Sequence, residues 1–227
     1  MTKAGTIVKL LVLYYLRLMA KLQLLKTKPI IIGVTGSAGK STCVAAIQAI
    51  LATKYKIKST GTANSESGIP LAILNLKLTN YSPFDWLRIL ILSPFQLLFY
   101  WPKYDILIAE MGIDSLQPPK NMSYLLSIIH PKIGVFLNVL PVHTQQLRSI
   151  ANIAAEKGKL IASLSANGNA VVNKNDPQTH IKTAAKTIYF SGDSIAAARA
   201  VGKIFGLSQI PHFQLPPGRW SIFPGIN

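Results

Sequence analysis

The stretch Pro29–Thr42, PIIIGVTGSAGKST, limits what this chain can fold into more than any other part of it. Three isoleucines and a valine in near succession suit a strand buried on both faces. The run CVAAIQAILA that follows suits a helix. Between them, Gly36 and Gly39 permit a tight turn and leave backbone N–H groups pointing inward beneath a helix N-terminus. Such a loop cradles phosphate: Lys40 can reach terminal phosphates, and the Ser41 hydroxyl can sit on Mg²⁺. The common spacing wants glycine six positions before the lysine, where Val34 stands. The bland alternative is a strand–helix turn with an exposed lysine.

Further apolar runs alternate with helical patterns. Strands are expected at 30–34, 105–110, 133–138, 170–173 and 187–190, and helices at 40–53, 85–99, 121–129, 149–164 and 194–205. Near-continuous β-branched runs separated by helices predict an α/β fold, a mostly parallel sheet with helices on both faces, whose ligands sit beyond the carboxyl ends of the strands. The expected organisation is an N-terminal amphipathic helix over 1–28, an α/β domain carrying the glycine loop over 29–210, and a Pro- and Gly-rich linker over 211–227.

Lysine and arginine outnumber the acids 24 to 8, a net charge of +16. That excess favours polyanions such as nucleotide phosphates or anionic lipid. The basic residues are scattered among leucines and isoleucines, with no aromatic RNA-binding stretch and no helix-turn-helix pattern, so nucleic acid is not an expected partner. Cys43 is the single cysteine and excludes an internal disulfide. Residues 7–25 carry Lys9, Arg17 and Lys21 within about a third of a helix circumference, opposite a broad apolar face. That pattern predicts a helix lying on an anionic membrane surface. The run 86–101 is short for a span, is broken by Pro94, and ends in Trp86, Tyr100 and Trp101, which suit an interface. Both segments could instead pack on the protein itself.

Chemistry-bearing residues recur at the predicted strand ends. DILIAE delivers Glu110 to the carboxyl edge, where a nucleotide-bound Mg²⁺ would need a hard oxygen, and the chain holds only three glutamates and five aspartates. IGVFLN puts Asn138 at the next edge and His143 in the loop beyond it; a loop histidine is otherwise a surface residue. The helix IANIAAEKGKL brings Lys157 toward the same edge, though a helical lysine alone reads as a solvated face.

GVTGSAGKST, EMG, NVLPVH and AEKGKL, in this order, resemble the central P-loop NTPase-like ATPase domain of the Mur ligases, the amide-forming enzymes of peptidoglycan assembly. That family's loop has the form G-x-x-G-[ST]-x-G-K-[ST], so Gly33 and Gly36 supply the glycines and Val34 is no longer a mismatch. NSESGIPLAIL is similar to a segment of the MurF type, which adds D-alanyl-D-alanine to a UDP-muramyl tripeptide; NKNDP and LPPGRWSIFPGIN resemble two further stretches. The resemblance implies ATP and Mg²⁺ as cofactors. It implies that Gly36, Ser37, Ala38, Gly39, Lys40, Ser41 and Thr42 hold the phosphates, with Asn173 and Asp176 toward the nucleotide. Ser41, Glu110 and His143 would bind metal, and Lys40, Glu110, His143 and Lys157 would carry catalysis, Lys157 near the place of the family's carbamylated lysine. Asn64, Ser65 and Glu66 would line the acceptor route. The implied reaction is phosphoryl transfer to a carboxylate followed by amine attack, in the cytoplasm at the inner membrane face, on UDP-muramyl peptide and D-Ala-D-Ala-like substrates.

The chain departs from the family in lacking the usual UDP-gripping N-terminal domain and in ending at Asn227, before the expected C-terminal domain. SLQPPKNM also replaces a usual turn. These departures predict a truncated chain holding the ATPase core. They leave open a non-catalytic or partnered ATP-binding subunit, with a separate chain supplying the C-terminal domain, and a Mur-type ligase with another acceptor.

Overall fold

The computed structural model describes residues 3–141, 147, 149–207, 209–211 and 213. In chain order the elements are α1 (Lys3–Thr27), β1 (Ile30–Thr35), α2 (Lys40–Leu51), β2 (Ile57–Ser59), α3 (Gly68–Ile73), α4 (Pro83–Phe99), β3 (Ile106–Glu110), α5 (Met122–Leu126), β4 (Ile133–Phe136), α6 (Ile150–Ala162), β5 (Asn169–Asn173), β6 (Lys186–Phe190) and α7 (Ser194–Ile204). Six strands form one sheet in the order β2-β3-β1-β4-β5-β6, with every neighbouring pair parallel. The chain is thus an α/β protein of the expected class.

Strand pleating sends alternate residues to opposite faces. Ile32, Val34, Ile106, Ile108, Val135 and Val171 pack under Cys43, Ile47 and Ile50 of α2 and Ala197 and Val201 of α7. Ile31, Leu107, Ala109, Phe136 and Val172 pack on the other face, with Met122 and Leu125 of α5, Ile153 and Leu160 of α6, and Leu13, Ala20 and Leu24 of α1. Covering both faces explains why the central strands β1, β3 and β4 are buried at nearly every position rather than at every second one. Each large apolar side chain so buried contributes roughly 1.5–3 kcal/mol. β1 lies between β3 and β4, so the loops after these three strands meet at one carboxyl edge.

Some boundaries differ from the sequence reading. β4 stops at Phe136, not 138, because Asn138 turns toward the loop after β1 and bonds there. α5 is shorter than 121–129: Asn121 caps it, and the amide of Ile128 bonds Leu125 three residues back, tightening the chain before Pro131. β2 and α3 were not anticipated; β2 is three half-buried residues at the sheet edge, too short to show alternation.

α1 docks on the domain through Leu13, Leu16, Ala20 and Leu24, all buried. Tyr124 Oη donates to the Leu13 carbonyl at 2.9 Å, and Arg17 donates to Ser127 Oγ at 3.1 Å while lying over the Tyr14 ring. α4 runs unbroken through Pro94. Proline has no N–H to give the carbonyl four residues back, and Tyr15 Oη donates to that Leu90 carbonyl instead, at 3.1 Å. No helix among the described residues is long and apolar enough to cross a membrane.

Candidate functional site

The loop between β1 and α2 owes its shape to two glycines. Gly36 has φ 154° and Gly39 φ 78°, both in the region that favours glycine. A Cβ on Gly36 would stand 2.9 Å from Leu137 Cβ, and one on Gly39 only 2.1 Å from Ser194 Oγ. Ser82, Asn121, Ser149 and Asp193 cap α4, α5, α6 and α7 with their side chains. α2 begins at Gly39 with no side-chain cap and no acid in its first turn. With no capping side chain and no acid there, the positive end of the helix dipole is left to favour an anion.

Two cations meet at this loop. Lys40 Nζ and Lys157 Nζ each donate to the Gly36 carbonyl at 3.1 Å. Lys157 comes from α6, 121 residues away in sequence, and is buried. Burial, and after it the nearby Lys40 charge, push its ammonium down to about 8, with Asp114 partly opposing both. Two positive side chains converging beside uncapped amides make a place where negative charge is favoured.

At the end of β3, Glu110 Oε2 accepts from Ser41 Oγ at 2.7 Å, and Oε1 accepts from Asn64 Nδ2 at 3.2 Å. The Glu110 amide donates to Thr60 Oγ1 at 3.2 Å. Glu110 stands at the carboxyl edge, yet it is only 1% exposed, because the segment after β2 folds over it with Thr60 and Asn64. At the end of β4, Asn138 Oδ1 accepts from the amides of Ser37 and Ala38 at 3.0 and 2.9 Å. Asn138 was legible as a strand-end residue, but its grip on the loop was not.

The remaining expected residues are spread around this cluster. Thr42 lies half-buried on the first turn of α2. Asn173 Nδ2 donates to the Leu137 carbonyl at 3.0 Å, and Asp176 Oδ2 accepts from the Val139 amide at 2.8 Å, so both hold the β4 loop. Asn64 joins Glu110, whereas Ser65 Oγ accepts from the Gly68 amide at 3.2 Å. Glu66 borders a separate cavity of about 210 Å³ shared with Lys9, Leu13, Tyr81 and Trp86. His143 lies outside the described residues.

The Mur ligase middle-domain family matches residues 34–205, more than half of the chain. The chain belongs to this family. It is 22% identical over 147 residues to the UDP-N-acetylmuramoyl-tripeptide–D-alanyl-D-alanine ligase of Escherichia coli, covering 64% of this chain and 26% of that protein. With the Bacillus subtilis ligase of the same name it shares 28% over 159 residues, covering 70% and 28%. The crystal structure of the Thermotoga maritima MurF ligase in complex with ADP superposes with a TM-score of 0.67 at 20% identity, covering 88% of this chain and 50% of that one. The matched segment thus spans about a quarter of the curated relatives' length.

Within this Mur ligase middle domain, the paired Ser41 hydroxyl and Glu110 carboxylate offer the hard oxygen donors that Mg²⁺ takes. No cluster of three or more His, Cys, Asp or Glu side chains occurs among the described residues. The pair therefore fits an ion held by one or two protein oxygens plus substrate phosphates, the usual way Mg²⁺ is bound.

Proposed function

We propose that this Mur ligase middle domain binds ATP at the β1–α2 loop and serves an amide-forming ligation through an acyl phosphate, with a UDP-muramyl peptide as acid and a D-Ala-D-Ala-like amine. The observation that carries the reading is the convergence of Lys40, Lys157 and the Ser41–Glu110 pair on one uncapped helix N-terminus. In this reading the Gly36–Thr42 loop and Lys40 hold the terminal phosphates and spread their charge. Ser41 and Glu110, with His143 by resemblance, would hold Mg²⁺, which supplies charge neutralisation at the phosphates. A carboxylate oxygen of the acid takes the γ-phosphoryl group and ADP leaves. The amine then attacks the acyl carbon, phosphate departs, and the nitrogen loses a proton. Lys157, buried and easily deprotonated, is suited to carbamylation, which would turn a cation into an oxygen ligand. By resemblance, Asn64, Ser65 and Glu66 would line the acceptor route, and the cytoplasmic face of the membrane is the proposed location.

The test has two readouts. Calorimetry with Mg²⁺ and a non-hydrolysable ATP analogue should show binding that Lys40→Ala weakens at least about tenfold, or about 1.4 kcal/mol. Phosphate release is then measured with a panel of UDP-muramyl peptides and other acids, with and without candidate partner polypeptides. Unaltered analogue binding in Lys40→Ala would refute the nucleotide site. Turnover with a different acid would replace the acceptor, and turnover only after adding a second polypeptide would make this chain a partnered subunit.

A further inference from the structure

α1 and α4 present a surface that the nucleotide reading does not use. Along α1, Ile7, Leu11, Tyr14, Leu18, Leu22 and Leu25 recur every three or four residues and all are exposed, Leu11 and Leu25 by 65% each. Along α4, Phe84, Leu87, Ile91, Phe95 and Leu98 do the same, and Phe99 and Trp101 prolong the stripe. The opposite sides of the helices are the buried ones, Leu13, Leu16, Ala20 and Leu24 on α1 and Asp85, Ile89 and Ser93 on α4. A helix with apolar residues on two sides normally has both covered; here the domain covers one side of each.

The two stripes form one face. Tyr15 bonds the Leu90 carbonyl, while Lys26 bonds those of Leu97 and Tyr100, so the helices lie side by side and run in the same direction. At about 100° per residue, both exposed stripes then fall on the same side of the line of contact, away from the sheet. Exposed apolar patches of this extent mark interaction sites.

Charge identifies the occupant. α1 contains no acid, and the one acid of α4, Asp85, is buried and paired with Arg88 at 2.8 Å. Lys28 is exposed just after α1, and Lys21 is half-buried on it. At the C-terminal ends of both helices, Lys26, Lys56, Lys103 and Trp101 line a cavity of about 420 Å³. Lys26 Nζ lies 3.7 Å from the Trp101 ring centroid. The acid at this cavity, Asp105, already accepts from the Lys56 amide at 2.8 Å. Two copies of a chain of net charge +16 repel one another. A bilayer with anionic headgroups supplies both hydrocarbon for the stripes and negative charge for the rim.

We propose that α1 and α4 together form a docking surface for an anionic lipid bilayer. The leucine and phenylalanine stripes enter the acyl boundary, and the cavity edged by Lys26, Lys56 and Lys103 takes a lipid phosphate. The contact is side-on and reversible, and it does not depend on the nucleotide site.

Vesicle flotation tests this on the full chain. Phosphatidylglycerol-rich vesicles should carry the protein, pure phosphatidylcholine vesicles should carry it far less, and added salt should weaken the binding. The triple substitution Leu11→Glu, Leu18→Glu and Leu98→Glu should lower partitioning by roughly 100-fold, and Lys56→Glu with Lys103→Glu should remove the preference for phosphatidylglycerol. These side chains are exposed, so circular-dichroism melting and ATP-analogue binding should match the wild type. That control separates failure here from failure of the nucleotide reading. On the unmodified chain, brominated acyl chains should quench tryptophan fluorescence, and Trp101→Phe should reduce the quenching. Absence of flotation, flotation indifferent to both sets of substitutions, or a lipid-free dimer dissolved by the leucine substitutions would each overturn the proposal.

Discussion

Gly39 shows how tightly single residues define the loop. Its φ of 78° strains any residue with a Cβ, and a methyl group there would also force the Ser194 hydroxyl, 2.1 Å away, to rotate. Gly39→Ala is therefore expected to cost about 1–3 kcal/mol in urea denaturation and to abolish ATP-analogue binding. Glu110 calls for a different substitution. Removing its buried side chain would strand the Ser41 and Asn64 donors, so Glu110→Ala confounds folding with function. Glu110→Gln keeps the shape and removes the charge, and should abolish Mg²⁺-dependent enhancement of ATP-analogue binding while shifting the melting temperature only slightly. Lys157 has a signature in pH. Unfolded, its amine holds a proton up to 10.5, whereas in the fold it releases it near 8. Between those values the unfolded state binds more protons, so Lys157 makes stability rise with pH there, and its penalty is fully present below the folded value. Lys157→Met should remove about 2–3 kcal/mol of the stability change between about pH 7 and about pH 10, read by urea melts. The identities of these residues were legible in the sequence. Glu110's burial was not, since the segment that covers it lies 46 or more residues away.

Helix α4 tests a compensation between elements. Pro94 removes one helix N–H, and the Leu90 carbonyl it leaves unbonded is satisfied from α1 by Tyr15. Tyr15→Phe is expected to destabilise the protein by about 1 kcal/mol. In a Pro94→Ala background the alanine N–H can bond Leu90, and the effect of Tyr15→Phe should largely vanish; a double-mutant cycle measures that coupling. The strands and most helices were readable because their apolar periodicity is local. β2 escaped notice because Ile57–Ser59 is an edge strand among lysines, and α3 because six residues hold fewer than two turns.

For the molecule as a whole, the first helix is part of the core. Leu13, Ala20 and Leu24 share a cluster with Ile31, Leu107 and Phe136 of the sheet. Deleting residues 3–27 would uncover that cluster and strip Lys26 and Tyr15 from α4. The shortened chain is expected to lose cooperative melting and to partition into the insoluble fraction, measured by circular dichroism and sedimentation. Surface substitutions therefore probe membrane binding more cleanly than truncation. The family match over 34–205 leaves α1 outside it, so the apolar face is built partly from sequence beyond the shared domain.

The order of strands and helices, the glycine turn, and the lysine, serine and glutamate that end up beside it follow from the sequence alone, because periodicity, turn conformations and helix caps act over a few residues. Sheet order was decided only in three dimensions. It brought Asn138 onto the loop amides and Lys157 to the Gly36 carbonyl. It also determined which of α1's two apolar sides the domain covers. Those pairings join residues a hundred or more positions apart, and their free energy comes from burial and close packing once β1 sits between β3 and β4. No window along the chain contains both partners.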